Sequence, residues 1–145
     1  MTDDRSVFFG LSVRENLRLA RGSGDALEFF PELEWLLDRP AGLLSGGEQQ
    51  MLGLAAVLIR RPKVLLIDEP SLGLAPVIVK RLLQVVRTAA DGGAAVLLVE
   101  QSVRHTLGIA DRAYILVNGR IVSEATGGEL SANLGEIERH YLATS

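Results

Sequence analysis

Two short stretches of this chain carry residue types whose order could do chemistry. Asp68 and Glu69 follow the apolar run Val64-Leu65-Leu66-Ile67 and precede Pro70. Two carboxylates straight after a strand-like run are wasteful as surface decoration, and in open α/β sheets ligands bind beyond the carboxyl ends of strands. Asp68 is placed to hold Mg2+ largely through water, because Mg2+ keeps several of its waters. Glu69, one peptide further, is free to polarise an attacking water, a role worth about 10²–10⁴ in rate. The plain alternative is that the pair only opens a turn before Pro70.

Ser45-Gly46-Gly47-Glu48 stands 23 residues before that pair. Ser-x-x-Glu is by itself a capping box that starts a helix. The two glycines add a second reading: without side chains they let the backbone approach a phosphate and aim amide hydrogens at it. A helix behind them supplies roughly half a positive charge at the same spot. Ser45 adds a hydroxyl donor, so the turn can grip a terminal phosphate without a lysine.

These residues need elements to hold them. An extended piece over Arg5–Gly10 leads to Ser12-Val13-Arg14-Glu15, a capping box that predicts a helix from Val13 to Arg21. Gly22-Ser23-Gly24-Asp25 breaks it, and a helical stretch from Ala26 to about Leu37 is interrupted at Pro31. Met51, Leu52, Leu54, Ala55 and Leu58 mark a buried helix over Glu48–Ile59. Val64–Ile67 and Ala94–Val99 read as strands buried on both faces, joined by a helix over Val77–Ala90. A short helix over Val103–Ala110, a hairpin around Asn118-Gly119 and a helical tail from Gly127 complete the pattern. Strands alternating with helices predict an α/β domain with a mainly parallel sheet.

Composition narrows the function. The 145 residues fit one ordinary domain, and a net charge of −3 offers no electrostatic case for nucleic acid or anionic lipid. With no cysteine, disulfides, thiolate metal sites and cysteine nucleophiles are excluded. Met1–Arg5 is polar and lacks the apolar core of a signal peptide, and no run approaches the ~20 apolar residues that span a bilayer. Direct membrane insertion is therefore not expected. His105 and His140 read as ordinary helix and tail residues.

On these motifs the chain resembles the ABC ATPases. Leu44-Ser45-Gly46-Gly47-Glu48-Gln49-Gln50 is similar to their signature, and Val64 to Glu69 to their Walker B strand with its catalytic glutamate. Gln49-Gln50-Met51-Leu52, Ser71-Leu72-Gly73-Leu74-Ala75-Pro76 and Leu97-Leu98-Val99-Glu100-Gln101-Ser102 resemble the ATP-binding subunits of branched-chain amino-acid importers, with the likeness running from about Arg5 to Leu142. The resemblance implies a partial P-loop NTPase fold, with a helical signature subdomain at about 10–47 and the C-terminal part of the core at 48–145. It implies ATP and Mg2+ as cofactors, Ser45, Gly46, Gly47 and Glu48 binding nucleotide in trans, and Asp68 at the metal. Glu69 and Gln101 become the catalytic pair, and Ser71, Leu72, Gly73, Leu74 and Ala75 the D-loop. Two positions depart from the superfamily: Ala75 stands where the D-loop usually has aspartate, and Gln101 replaces the switch histidine. Glutamine cannot carry a proton at neutral pH, which leaves Glu69 as the base.

A P-loop requires Gly-x-x-x-x-Gly-Lys and then Ser or Thr. The only lysines here are Lys63 and Lys80, and neither follows a glycine. The resemblance therefore implies a fragment that starts near the family's Q-loop, at about Asp3, without Walker A or the subdomain that stacks on adenine. The expected partners are a homologous ABC ATPase subunit, as a dimer, and transmembrane permease subunits. The expected place is cytoplasmic, peripheral at the inner face of the cell membrane. The alternative function is a non-enzymatic module that completes or regulates the nucleotide site of a full-length partner. An ATPase of the DNA-repair or chromosome-organising type would need long heptad segments and a basic surface, and the sequence has neither.

Overall fold

A computed structural model describes residues 7–101, 106, 108–126 and 129. The chain forms two compact units, Met1–Val99 and Glu100–Ser145. The stretches 10–47 and 48–99 thus lie in the same unit.

In the first unit, helix α1 (Val13–Leu19) begins at Ser12, where both arms of the capping box are made. The buried Asn16 side chain ties the preceding segment to this helix: its Oδ1 accepts from Phe8 N at 2.8 Å and its Nδ2 donates to Ser12 O at 2.9 Å. After Gly22–Asp25 comes α2 (Ala26–Phe29), capped by Asp25, whose carboxylate accepts from Leu27 N at 2.9 Å. The helical stretch then tightens into a 3-10 turn over Pro31–Leu36, which satisfies the interruption expected at Pro31. A Cβ on Gly22 would lie 2.2 Å from Ile59 O, so only glycine fits there.

Helix α3 (Gly46–Leu58) starts at the Ser45 cap and buries Met51, Leu52, Ala55 and Leu58. Strand β1 (Val64–Asp68), helix α4 (Pro76–Asp91) and strand β2 (Ala95–Val99) follow. The two strands pair in parallel with Leu66 opposite Leu97 and Asp68 opposite Val99. This is a β-α-β unit with α4 as its crossover. Val13, Phe30, Leu33, Leu52 and Leu82 are the large side chains fully enclosed, and Leu65 and Val85 join the same core.

The expectation that both strands are buried on both faces needs correcting. Val64 is 61%, Leu66 71%, Leu97 59% and Val99 51% exposed, while Leu65 is 4%. One crossover helix covers one face of a pleated pair, and residues alternate between faces. The result is a bare apolar face carrying every second residue.

The second unit holds a hairpin of β3 (Arg112–Val117) and β4 (Arg120–Thr126), antiparallel with an irregularity between Ile115 and Leu116. Asn118 and Gly119 both have positive φ, at 49° and 76°, as the expected two-residue turn requires. The strands run further than Tyr114–Val117 and Arg120–Ser123, to Arg112 and Thr126, with an Arg112–Glu124 ion pair at 3.3 Å between them. Half of the helix expected over Val103–Ala110 and almost all of the tail from Gly127, with His105 and His140, lie outside the described residues. Gly108 and Ile109 form a turn, so the helix does not reach Ala110 as expected.

Candidate nucleotide site

Ser45 is the N-cap of α3, and its conformation follows from local chemistry. Its extended backbone lets the side-chain oxygen accept from Glu48 N at 3.4 Å, while the Glu48 carboxylate accepts from Ser45 N at 2.6 Å. The capping box expected from Ser45 and Glu48 is therefore formed. Gln49 reaches back, its Nε2 donating to Ala41 O at 3.2 Å and Leu44 O at 3.3 Å, and so holds the turn before Ser45. Gly42 N donates to Phe9 O at 2.9 Å, which anchors that turn to the start of the unit. The amides of the first helical turn have no partner within the helix by construction, and they carry its positive dipole end. Ser45 is exposed, and Gly46, Gly47 and Glu48 are half-buried.

Asp68 ends β1 and is exposed. Glu69 is also exposed and has φ of 45°, a left-handed conformation uncommon for a side chain of this size. Its amide donates to Val99 O at 2.9 Å, which turns the chain away from β1 while keeping it against the end of β2. Pro70 is buried beyond it. Ser71–Ala75 then forms a loop with Gly73 at φ 73° and Leu72 exposed, and Ala75 serves as N-cap of α4 without a side-chain bond.

The two motifs meet through α4. A Cβ on Gly47 would stand 3.2 Å from Ile78 Cγ2, so the first turn of α3 packs directly on the first turn of α4. Gln101 belongs to the second unit, two residues past Val99 in sequence, and is exposed. The sequence reading missed Ile78 and Arg81; their one signal was the spacing of three that puts both on one face of α4.

Among the described residues no group of three or more His, Cys, Asp or Glu gathers as a metal site. A single exposed carboxylate such as Asp68 suits Mg2+ that arrives with a nucleotide, since Mg2+ is usually held by one or two carboxylates plus phosphates and water. It does not suit a metal ion held by protein groups alone.

With that geometry in view, relatives identify the class. A family model described as AAA domain, putative AbiEii toxin, type IV TA system, matches residues 17–99. The high-affinity branched-chain amino acid transport ATP-binding protein BraG of Pseudomonas aeruginosa is 43% identical over 141 residues, covering 90% of this chain and 60% of that protein. The probable branched-chain amino acid transport ATP-binding protein LivF of Archaeoglobus fulgidus is 40% identical over 136 residues, covering 86% and 58%. Among solved structures, the ATP-binding subunit of an ABC transporter superposes with a TM-score of 0.71 at 27% identity, over 89% of this chain and 58% of that one. The dimeric post-hydrolysis state of an ATP-binding cassette bound to ADP and Pi gives 0.72 at 21% identity, over 86% and 60%, and bears on the fold alone.

The chain belongs to the AAA-domain family, and its fold is that of the ABC ATPases. The relatives it resembles at 40–43% identity are ATP-binding proteins named for branched-chain amino acid transport. It spans about 60% of the length of the curated relatives it matches.

Proposed function

We propose that this chain works as part of the ATP-hydrolysing subunit of an ABC importer for branched-chain amino acids, and that Ser45, Gly46, Gly47 and Glu48 close on a nucleotide held by the P-loop of a second subunit. The observation that carries this reading is the capped N-terminus of α3, with Ser45 exposed and the first-turn amides behind it. The Ser45 side-chain oxygen accepts from Glu48 N, and a hydroxyl can accept and donate at once, so its proton can be offered to a phosphate oxygen. At the site for which this subunit itself supplies the phosphate cradle, Glu69 takes the proton of the attacking water and Gln101 orients water or phosphate without carrying charge. These 145 residues hold no such cradle. Asp68 holds Mg2+, which when bound offsets phosphate charge. Ser71, Leu72, Gly73, Leu74 and Ala75 face the partner subunit as the D-loop.

Permease subunits in the membrane complete the assembly, with this chain on the cytoplasmic side. Among the described residues no helix is long and apolar enough to cross a membrane. The 145 residues contain no P-loop sequence, and by themselves they release no phosphate from ATP.

The test is complementation. The chain is mixed with a P-loop-bearing ABC ATPase whose own signature serine is changed to arginine, and phosphate release is followed. Turnover rises on adding this chain and stays flat with its Ser45→Arg variant. Steady phosphate release by the pure chain, lost on Glu69→Gln, would overturn the reading. The missing P-loop sequence also favours a second reading, a non-enzymatic module that completes the partner's site. In that case joining a relative's P-loop segment to this chain yields no phosphate release that depends on Glu69.

A further inference from the structure

We infer that Arg81, together with Ile78 one turn before it, is a positioning residue that holds the loop Ser71–Ala75 in register with the phosphate-facing turn Ser45–Gly47. The inference rests on the trans site proposed above for the use of that register, but the register itself is a property of this chain.

Arg81 makes three contacts with one short stretch. Its Nε lies 3.0 Å from Glu32 Oε1, its Nη2 donates to Phe29 O at 2.9 Å, and its guanidinium carbon sits 5.9 Å from the centroid of the Phe30 ring. Phe29 closes a four-residue helix, too short to satisfy its own last carbonyls, so Arg81 takes over an orphaned acceptor. Phe30 is fully buried and gives the planar cation a fixed shelf.

Ile78 and Arg81 are three residues apart and share a face of α4. Ile78 meets Gly47 at the first turn of α3, and Arg81 meets the junction between α2 and the 3-10 turn. Two contacts separated by one turn fix both the distance and the rotation of a helix. The loop Ser71–Ala75 runs straight into α4, so what orients α4 against α3 also orients that loop against Ser45.

The energetics separate positioning from plain stability. Arg81 and Glu32 keep a third to a half of their side chains exposed, and ion pairs in such settings add little to folding. Loss of the ion pair alone, as in Glu32→Gln, is therefore felt in geometry before it is felt in melting temperature.

Because the chain has no cysteine, spin labels can be placed at will. Leu43→Cys and Leu72→Cys put one label beside each loop, both at exposed positions. The labelled chain should give one narrow distance distribution. Arg81→Ala broadens it while the circular dichroism spectrum stays native, Arg81→Lys recovers part of the sharpness, and Glu32→Gln broadens it as well. In the complementation assay Arg81→Ala lowers stimulated turnover by about 10- to 100-fold, the scale expected for a misplacement of about 1 Å. A distribution unchanged in Glu32→Gln and in whichever Arg81 variant folds would overturn the inference. If instead Ser45→Arg leaves stimulation intact, the trans site fails, and the label distances still decide the role of Arg81.

Discussion

Gly47 packs against Ile78 so closely that a methyl group on the glycine would stand 3.2 Å from Ile78 Cγ2 and 3.3 Å from Cγ1. Its lack of a side chain thus serves a helix–helix contact, whatever else it does for a phosphate. Gly47→Ala sets a gain in helix propensity of up to about 1 kcal/mol against overpacking of about 1–3 kcal/mol. A net loss of about 1 kcal/mol is expected in urea unfolding. In an Ile78→Ala background the same substitution should become neutral or stabilising. Equal effects in both backgrounds would show that the contact is not the constraint.

Glu69 sits at φ 45°, a region that costs a residue with a Cβ roughly 1–2 kcal/mol. Glycine escapes that cost but loses more chain entropy, about 0.5–1 kcal/mol. Glu69→Gly should therefore unfold at slightly higher denaturant than wild type, by about 0.5–1 kcal/mol. Glu69→Gln keeps the strain, so its midpoint should be unchanged. A Glu69→Gly chain less stable than Glu69→Gln would mean that the glutamate side chain makes a stabilising contact.

Ala75 occupies the N-cap of a 16-residue helix and offers it no acceptor. Pro76 at the first helical position only partly compensates, by removing one orphan amide. Ala75→Asp should raise stability by about 0.5–2 kcal/mol, and Ser12→Ala and Ser45→Ala should each lower it by a similar amount. Thermal melts of the three variants check the set.

Three carboxylates carry an acid dependence of known sign. The Ser12 amide and hydroxyl hold Glu15 below its ordinary value of 4.5, and hydrogen bonds from Arg14 and Arg87 hold Asp38 and Asp91 below 3.8. Each folded-state value is depressed, so the contribution is complete above the ordinary value and disappears as pH falls through the folded one. Melting temperature should be flat above pH 5 as far as these groups are concerned, and should drop as pH falls below about 4.5. A Glu15→Gln, Asp38→Asn, Asp91→Asn chain should start lower at neutral pH and lose less on acidification. All three carboxylates are exposed, so the slope is shallow and flattens further in high salt.

What the sequence revealed and what it hid follow from the range of each interaction. Ser12–Glu15 and Ser45–Glu48 are written within four residues, and both boxes form as read. Asn118-Gly119 and Pro31 are equally local, and the hairpin and the interrupted helix appear where expected. An apolar run such as Val64–Ile67 reads the same whether one face or two are covered, because coverage is decided by other segments. Arg81 finds Glu32 across 49 residues of chain, and no periodicity announces that partner. Asn16 was silent for a related reason: a buried amide that satisfies a nearby backbone looks in sequence like any polar helix residue. The candidate site divides the same way. Ser45 and Glu48 were legible as a cap, whereas the abutment of their helix on α4 emerged only from the folded chain.

The uncovered side of the β1–β2 pair, with Val64, Leu66, Leu97 and Val99 turned to water, has a thermodynamic consequence. Any surface that covers it binds the native chain in preference to the unfolded one, and so stabilises it by mass action, by about 2.7 kcal/mol at a hundredfold excess over Kd. The melting temperature of this chain is then a titration curve in disguise, rising with the concentration of whatever shields those four side chains.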